Sequence, residues 1–238
     1  MINSILNFKR ETSEFIHSQI HGENLTMRGG LKRCSQRGIN PKTVIDIGAS
    51  NGQWSKLCME TFPKADYLLV DAQDAHTDDL NKFVHKNKNA QFIVAAAGEK
   101  DGKIYFDNHA KFGGLASDTP FENGVEVHAI SLDNEIKRRQ LKGPYLLKLD
   151  THGFEIPILE GAKEIIRSAE LIILETYNFQ ITNDSLKYYQ MCAYMEERGF
   201  SPIEIVDLML RKHDKSFWQM DTFFIPSSSK EFKHRAYL

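Results

Sequence analysis

The chain has 238 residues, 41% of them hydrophobic, and a formal net charge of −2. That is enough for one α/β domain with a real core and a short extension. The near-balanced charge gives no pull toward nucleic acid, and no apolar run approaches the length of a membrane span, so neither is expected as a partner.

Residues 1–42 are polar, with Ile5, Phe8, Phe15, Ile16 and Ile20 at loosely helical spacing. Gly29-Gly30 is expected to break them from a short helix around Leu31 to Gln36. This N-terminal helical arm either packs on a sheet edge or serves as a lid. Charges interrupt its first residues too early for a secretory leader. Cys34, Cys58 and Cys192 are scattered and odd in number, which reads as free thiols in a reducing cytoplasm.

From residue 43 to 226 strand and helix signals alternate. Thr43–Ile47 is the first strand, followed by a helix over 54–62, and Tyr67–Asp71 is the second. A charged helix over 74–87 leads to a third strand, Gln91–Ala96. Pro144–Asp150 and Glu170–Glu175 are the fourth and fifth, joined by a helix over 156–168. A helix over 186–198 and strands at Pro202–Leu208 and Asp221–Ile225 close the pattern. Such alternation predicts an α/β fold, a seven-stranded, mostly parallel sheet with helices on both faces. Residues 103–130 break the rhythm as an inserted β-hairpin with a long Gly- and Asp-rich loop at 108–124. Substrate contact and simple mobility are both open readings of that loop. Residues 227–238 read as a solvated tail.

The chemistry concentrates at strand ends, where open α/β sheets bind ligands. Asp46-Ile47-Gly48-Ala49-Ser50-Asn51-Gly52 is Asp-x-Gly-x-x-x-Gly, not the Gly-x-Gly-x-x-Gly of dinucleotide folds. Two glycines let a ligand approach a helix N-terminus, and the nearby acid suits a ligand carrying positive charge. S-adenosylmethionine, with its ammonium and sulfonium, fits that description. Asp71 ends the second strand, where an acid can accept hydrogen bonds from both ribose hydroxyls. Asp150, His152 and Glu155 cluster after the fourth strand, and Asp46, Asp150 and Glu175 all end strands on one sheet edge. Helix capping explains any one of these acids; it explains their convergence less well. Lys148 is expected to be buried or to pair with one of them.

VIDIGASNGQWS, LLKLDTHGFEIPILEGA and LIILETYNF together resemble the FkbM family of S-adenosylmethionine-dependent methyltransferases, roughly from Leu31 to Ile225. The family commonly has Glu before the glycine where this chain has His152. The resemblance implies a Rossmann-like class I methyltransferase fold and methyl transfer to oxygen, often on a sugar or small-molecule scaffold. Carried over by position, Asp46, Gly48, Ala49, Asn51 and Gly52 line the methionine end of the cofactor. Asp71 holds the ribose, and Ala72, Gln73, Ala96 and Ala97 approach the adenine. Asp150, with Glu175 and Asn178, stands where some related enzymes bind a divalent metal, and an oxygen-rich set favours Mg2+. Proton removal falls either to His152 as general base beside Asp150 or to such a metal. The alternatives are N-methylation of protein or nucleic acid, and a non-catalytic cofactor-binding subunit. A homo-oligomer is compatible with the sequence, which does not fix the oligomeric state.

Overall fold

The computed structural model describes residues 22–109 and 113–237. The apolar positions Ile5 to Ile20 of the arm, and with them most of the lid reading, lie outside the described residues. The main sheet has seven strands: β1 (Thr43–Ile47), β2 (Asp66–Asp71), β3 (Ala90–Val94), β8 (Tyr145–Leu149), β9 (Ala169–Tyr177), β10 (Phe200–Leu210) and β11 (Phe217–Pro226). Their order is β10-β11-β9-β8-β1-β2-β3. The five strands from β9 to β3 are parallel, and at one edge β11 alone runs the other way, antiparallel to both β9 and β10.

Successive strand residues point to opposite faces, and two cores follow from that alternation. Ile45, Ile47, Leu147, Leu149, Ile172 and Leu174 face one core; Val44, Leu146, Leu171 and Ile173 face the other. The second face is covered by α1 (Met27–Gln36), α2 (Gln53–Thr61) and α3 (Thr77–Lys86). On the first lie α4 (Leu132–Arg139), α5 (Glu155–Glu160), α6 (Lys163–Arg167) and α7 (Tyr188–Glu197). Among the described residues no helix is long and apolar enough to cross a membrane.

The structure corrects the expected elements in four places. Gly29-Gly30 does not break the arm: α1 runs straight through both. A Cβ on Gly30 would stand 3.0 Å from Phe223 and from Val206, so the glycine lets the helix lie close against β10 and β11. Arg33 and Arg37 tie the same helix to Glu204 of β10, at 2.7 and 2.5 Å. Gly30→Ala is expected to destabilise the chain by about 1–3 kcal/mol through overpacking, read by chemical denaturation, although alanine is the better helix former.

The third strand is also divided. β3 stops at Val94, and β4 (Ala96–Gly98) begins a second sheet. That sheet, β4-β7-β5-β6, contains β5 (Gly102–Asp107), β6 (Ala116–Ser117) and β7 (Gly124–Ser131). The expected hairpin is therefore part of a four-stranded unit, closed by β4 pairing parallel with β7. Helix α4 follows β7 and was not expected, although Leu132 and Ile136 stand one turn apart, with acids in its first turn and Lys137 to Arg139 in its last. The single helix expected over 156–168 is two, α5 and α6. Gly161 between them packs on the carbonyl of Gly98, where a Cβ would be only 2.0 Å from the oxygen.

Candidate active site

The turn after β1 is built from short backbone contacts. Gly48 and Ala49 both donate N–H to the Val70 carbonyl, at 2.9 and 3.1 Å. Gly48 has φ +76°, and a Cβ there would meet the Asp150 carbonyl oxygen at 2.2 Å. Gly52 has φ +77° and lies against Phe83. Three buried side-chain atoms of this region, Asp46 Oδ1, Ser50 Oγ and Trp54 Nε1, have no hydrogen-bond partner. Burial pushes the Asp46 carboxyl up to about 6, against the pull of nearby Lys148 and a 2.7 Å hydrogen bond donated by Ser55 Oγ.

A cleft of about 860 Å3, its open mouth included, runs along the carboxyl ends of β1, β2 and β8. Gly48 and Ser50 form one end. Asp71, Ala72 and Gln73 follow, then Ala95 to Ala97. Asp71 accepts backbone N–H groups from Ser50 (2.6 Å) and Gln73 (2.9 Å), one on each oxygen, and burial raises its pKa. A carboxylate has about four lone pairs, so two remain for a ligand's hydroxyls. Ala49, Asn51 and Gly52 shape the turn rather than line the cleft. Ala49 is buried beneath it, and Asn51 Oδ1 accepts the Gln53 N–H at 3.3 Å.

The end of β8 carries the ionisable groups. Lys148 is buried, and its Nζ donates to Asp150 Oδ2 at 2.6 Å. Burial alone would lower the Lys148 ammonium, but Asp150, Asp46 and Asp221 around it carry it above its ordinary range. Burial would raise Asp150, but Lys148 outweighs it and holds that carboxyl below the usual range. Ligand atoms of Asp150, His152 and Glu175 all lie within 4.8 Å of one another. Burial holds His152 below its ordinary pKa, although Asp150 opposes the shift. Its backbone is left-handed (φ +50°), as is that of Gly153 (φ +98°). Glu155 braces this turn: its Oε1 accepts the Gly153 N–H at 2.9 Å and the Thr151 hydroxyl at 3.2 Å. It is buried, a support for the loop that carries His152.

Glu175 stands next to Asp150 and accepts hydrogen bonds from Tyr177 Oη and Gln219 Nε2. Burial and then the Asp150 charge push it up to about 8. The folded chain thus keeps a proton that the unfolded chain has released, and stability falls as pH rises from the ordinary carboxyl range toward 8. Glu175→Gln is expected to flatten that fall. Urea midpoints measured from about pH 5 to 8 check it; a slope matching the parent chain would refute the assignment.

The metal expected here was magnesium, which needs near-octahedral oxygen ligation. Asp150 Oδ2 already holds an ammonium, both Glu175 oxygens accept side-chain donors, and the third group is an imidazole. The Asn178 amide donates to the Phe217 carbonyl at 3.3 Å. This donor set does not fit magnesium.

The far wall of the cleft takes Gly113, Gly114 and Ala116 from the 108–124 loop, for which substrate contact was one reading, and adds Phe106, Phe154 and Ile158, which the sequence did not single out. Its signal is the run Ala95-Ala96-Ala97-Gly98, small residues that let two layers approach. His76 and Ser50 also line the cleft without having been singled out as site residues.

Residues 46–202 match the methyltransferase FkbM domain. An FkbM methyltransferase from Methylobacillus flagellatus KT superposes with a TM-score of 0.52 at 14% identity, covering 76% of this chain and 43% of its own. The chain thus spans less than half the length of that relative. A precorrin-6y C5,15-methyltransferase from Geobacter metallireducens gives 0.47 at 13% identity, over 84% of this chain and 87% of its own. The 1,6-didemethyltoxoflavin-N1-methyltransferase of Burkholderia thailandensis, solved with S-adenosylhomocysteine, gives 0.47 at 10%, over 91% and 87%. No curated protein matches the sequence.

Proposed function

The chain belongs to the FkbM methyltransferase domain family, and on that premise we propose that it methylates a hydroxyl oxygen of a sugar or other small molecule, with S-adenosylmethionine as donor. Of the unpartnered buried atoms at the glycine turn, Ser50 Oγ belongs to a residue that lines the cleft, and Asp46 Oδ1 and Trp54 Nε1 lie behind it, polar groups that suit a ligand carrying an amine and a carboxylate. The free lone pairs of Asp71 suit its ribose, and the small, apolar Ala95–Ala97 wall suits its adenine.

S-adenosylmethionine supplies a methyl group already activated on a sulfonium. The protein's tasks are then to hold an acceptor oxygen in line and to take its proton. The observation that carries the reading is His152. Its pKa is lowered, so the imidazole is neutral at pH 7, and it stands beside an ionised Asp150 at the cleft wall. A hydroxyl must lose its proton as it is methylated, and a neutral imidazole next to a carboxylate can accept one. Asp150 then stabilises the imidazolium that forms. Lys148 keeps Asp150 ionised throughout.

Calorimetric titration with S-adenosylhomocysteine tests the pocket, and transfer of a tritiated methyl to paired hydroxyl and amine acceptors tests the chemistry. Saturable binding with label on oxygen is expected. Label on nitrogen alone would overturn the O-methylation reading.

A further inference from the structure

A second groove adjoins the cleft. It shares Ala116 and Phe154 with it and extends between the 115–121 segment of the second sheet and the Thr182–Asp184 loop. Gly153, the residue after His152, is part of its lining. A Cβ on Gly153 would meet Thr182 Oγ1 at 2.9 Å, so glycine brings the loop up against the catalytic turn. Ser185 fastens the loop from below: its hydroxyl accepts the Ile181 and Thr182 N–H groups, each at 3.0 Å. The groove is thus held by fixed backbone on that side and opens within one residue of the proposed base.

Its lining alternates two chemistries. Half-buried Phe121 presents aromatic carbon, with the edge of buried Phe154 beside it, and Asp118 and Asp184 present exposed carboxylates. Ser117 and Thr119 add hydroxyls on the same wall. Aromatic faces beside carboxylates and hydroxyls match a pyranose, whose C–H face packs on a ring while its hydroxyl edge donates to oxygen acceptors. Among the described residues the lining holds two acids and no cation, which disfavours a phosphorylated or carboxylated chain.

We propose that this groove is an acceptor subsite for a saccharide chain, holding the sugar units next to the one methylated at His152. The inference rests on the O-methyltransferase reading above. It adds that recognition extends past the reacting sugar, with Asp184 and Phe121 setting the preference for longer acceptors.

The test is tritiated methyl transfer to the free mono-, di- and tetrasaccharides of glucose, mannose, rhamnose and fucose, with catechol as a non-sugar hydroxyl. A tetrasaccharide is expected to be labelled with kcat/KM about tenfold or more above its monosaccharide. Asp184→Asn and Phe121→Ala should each remove most of that gain through KM. Both should leave the monosaccharide rate and the affinity for S-adenosylhomocysteine within about twofold. Equal rates for long and short acceptors, or variants that slow both alike, would overturn the subsite. Label on catechol but on no saccharide would overturn it while O-methylation stands. Label on none of these hydroxyls would count against both readings.

Discussion

Gly48→Ala is expected to cost the chain about 2–5 kcal/mol and to weaken S-adenosylhomocysteine binding at least about 100-fold. Two effects add. An L-residue in the left-handed region costs about 1–2 kcal/mol, and forcing atoms into a filled space typically costs about 1–3 kcal/mol more. Here the obstruction is the Asp150 carbonyl, 2.2 Å from the new Cβ, which is backbone and cannot swing aside. Strands β1 and β8 would have to part, and the parting moves the Gly48–Ser50 turn and the Asp150–His152 turn together. Gly38→Ala supplies the control. That glycine also has a positive φ (+98°), but nothing lies within 4 Å of its would-be Cβ. It should show the backbone cost alone and no loss of ligand affinity. Thermal unfolding and calorimetry on both variants separate the terms, since about 1 kcal/mol moves the midpoint by about 2–4 °C at this size. Equal behaviour of the two would show that the close approach of β1 and β8 is not what requires glycine.

The same pair of strands shows what the sequence could and could not convey. Thr43–Ile47, Tyr67–Asp71 and Pro144–Asp150 were legible because strands buried on both faces read as short apolar runs, and each ended in an acid or glycine that marked the ligand edge. The register that unites them was not legible. Asp46 lies opposite Lys148, and Glu175 opposite Asp221, so one lysine is surrounded by acids from neighbouring strands. Sequence separations of about 30 to 175 residues hide such a row. The strand-end acids Asp46, Asp150 and Glu175 could be set on one edge from the pattern, but the place of Asp221 and the pairing of Asp46 across from Lys148 emerge only with the sheet order.

The second sheet was harder still. Its hairpin was legible, but β4 and β6 have only three and two residues, and β4 pairs with β7 across a separation that no local period records. Gly30 misled for a different reason: glycine weakens a helix by propensity, but here it serves the packing of that helix on Phe223, and the tertiary contact prevails. Magnesium was expected from the family resemblance, through Asp150, Glu175 and Asn178. Lys148, expected to be buried or to pair with one of the acids, does both, and its ammonium takes a carboxylate oxygen that a metal would need.

Removing the two groups proposed to take the proton should produce different losses, and the difference identifies the base. His152→Asn is expected to lower kcat about 10²–10⁴-fold, the usual worth of general base catalysis, with S-adenosylhomocysteine affinity intact. Asparagine tolerates the left-handed φ of +50°, so the turn should survive. Asp150→Asn should slow the reaction too, but it also takes the nearest partner from a buried ammonium. A buried charge stripped of its partner costs about 3–5 kcal/mol, and Asp46 and Asp221 should hold the loss toward the lower end. The pH profile completes the assignment. A base acts unprotonated, and burial lowers the His152 pKa, so kcat/KM should stay level at neutral pH and fall only as the pH drops below the usual histidine range. In His152→Asn that acid limb should vanish along with the rate. If the parent chain instead holds its rate down to or below the usual carboxyl range, the proton goes to Asp150, which Lys148 keeps ionised to low pH. A rate that climbs toward pH 8 would point to Glu175, whose raised pKa leaves it mostly protonated, and so unable to accept, at neutral pH.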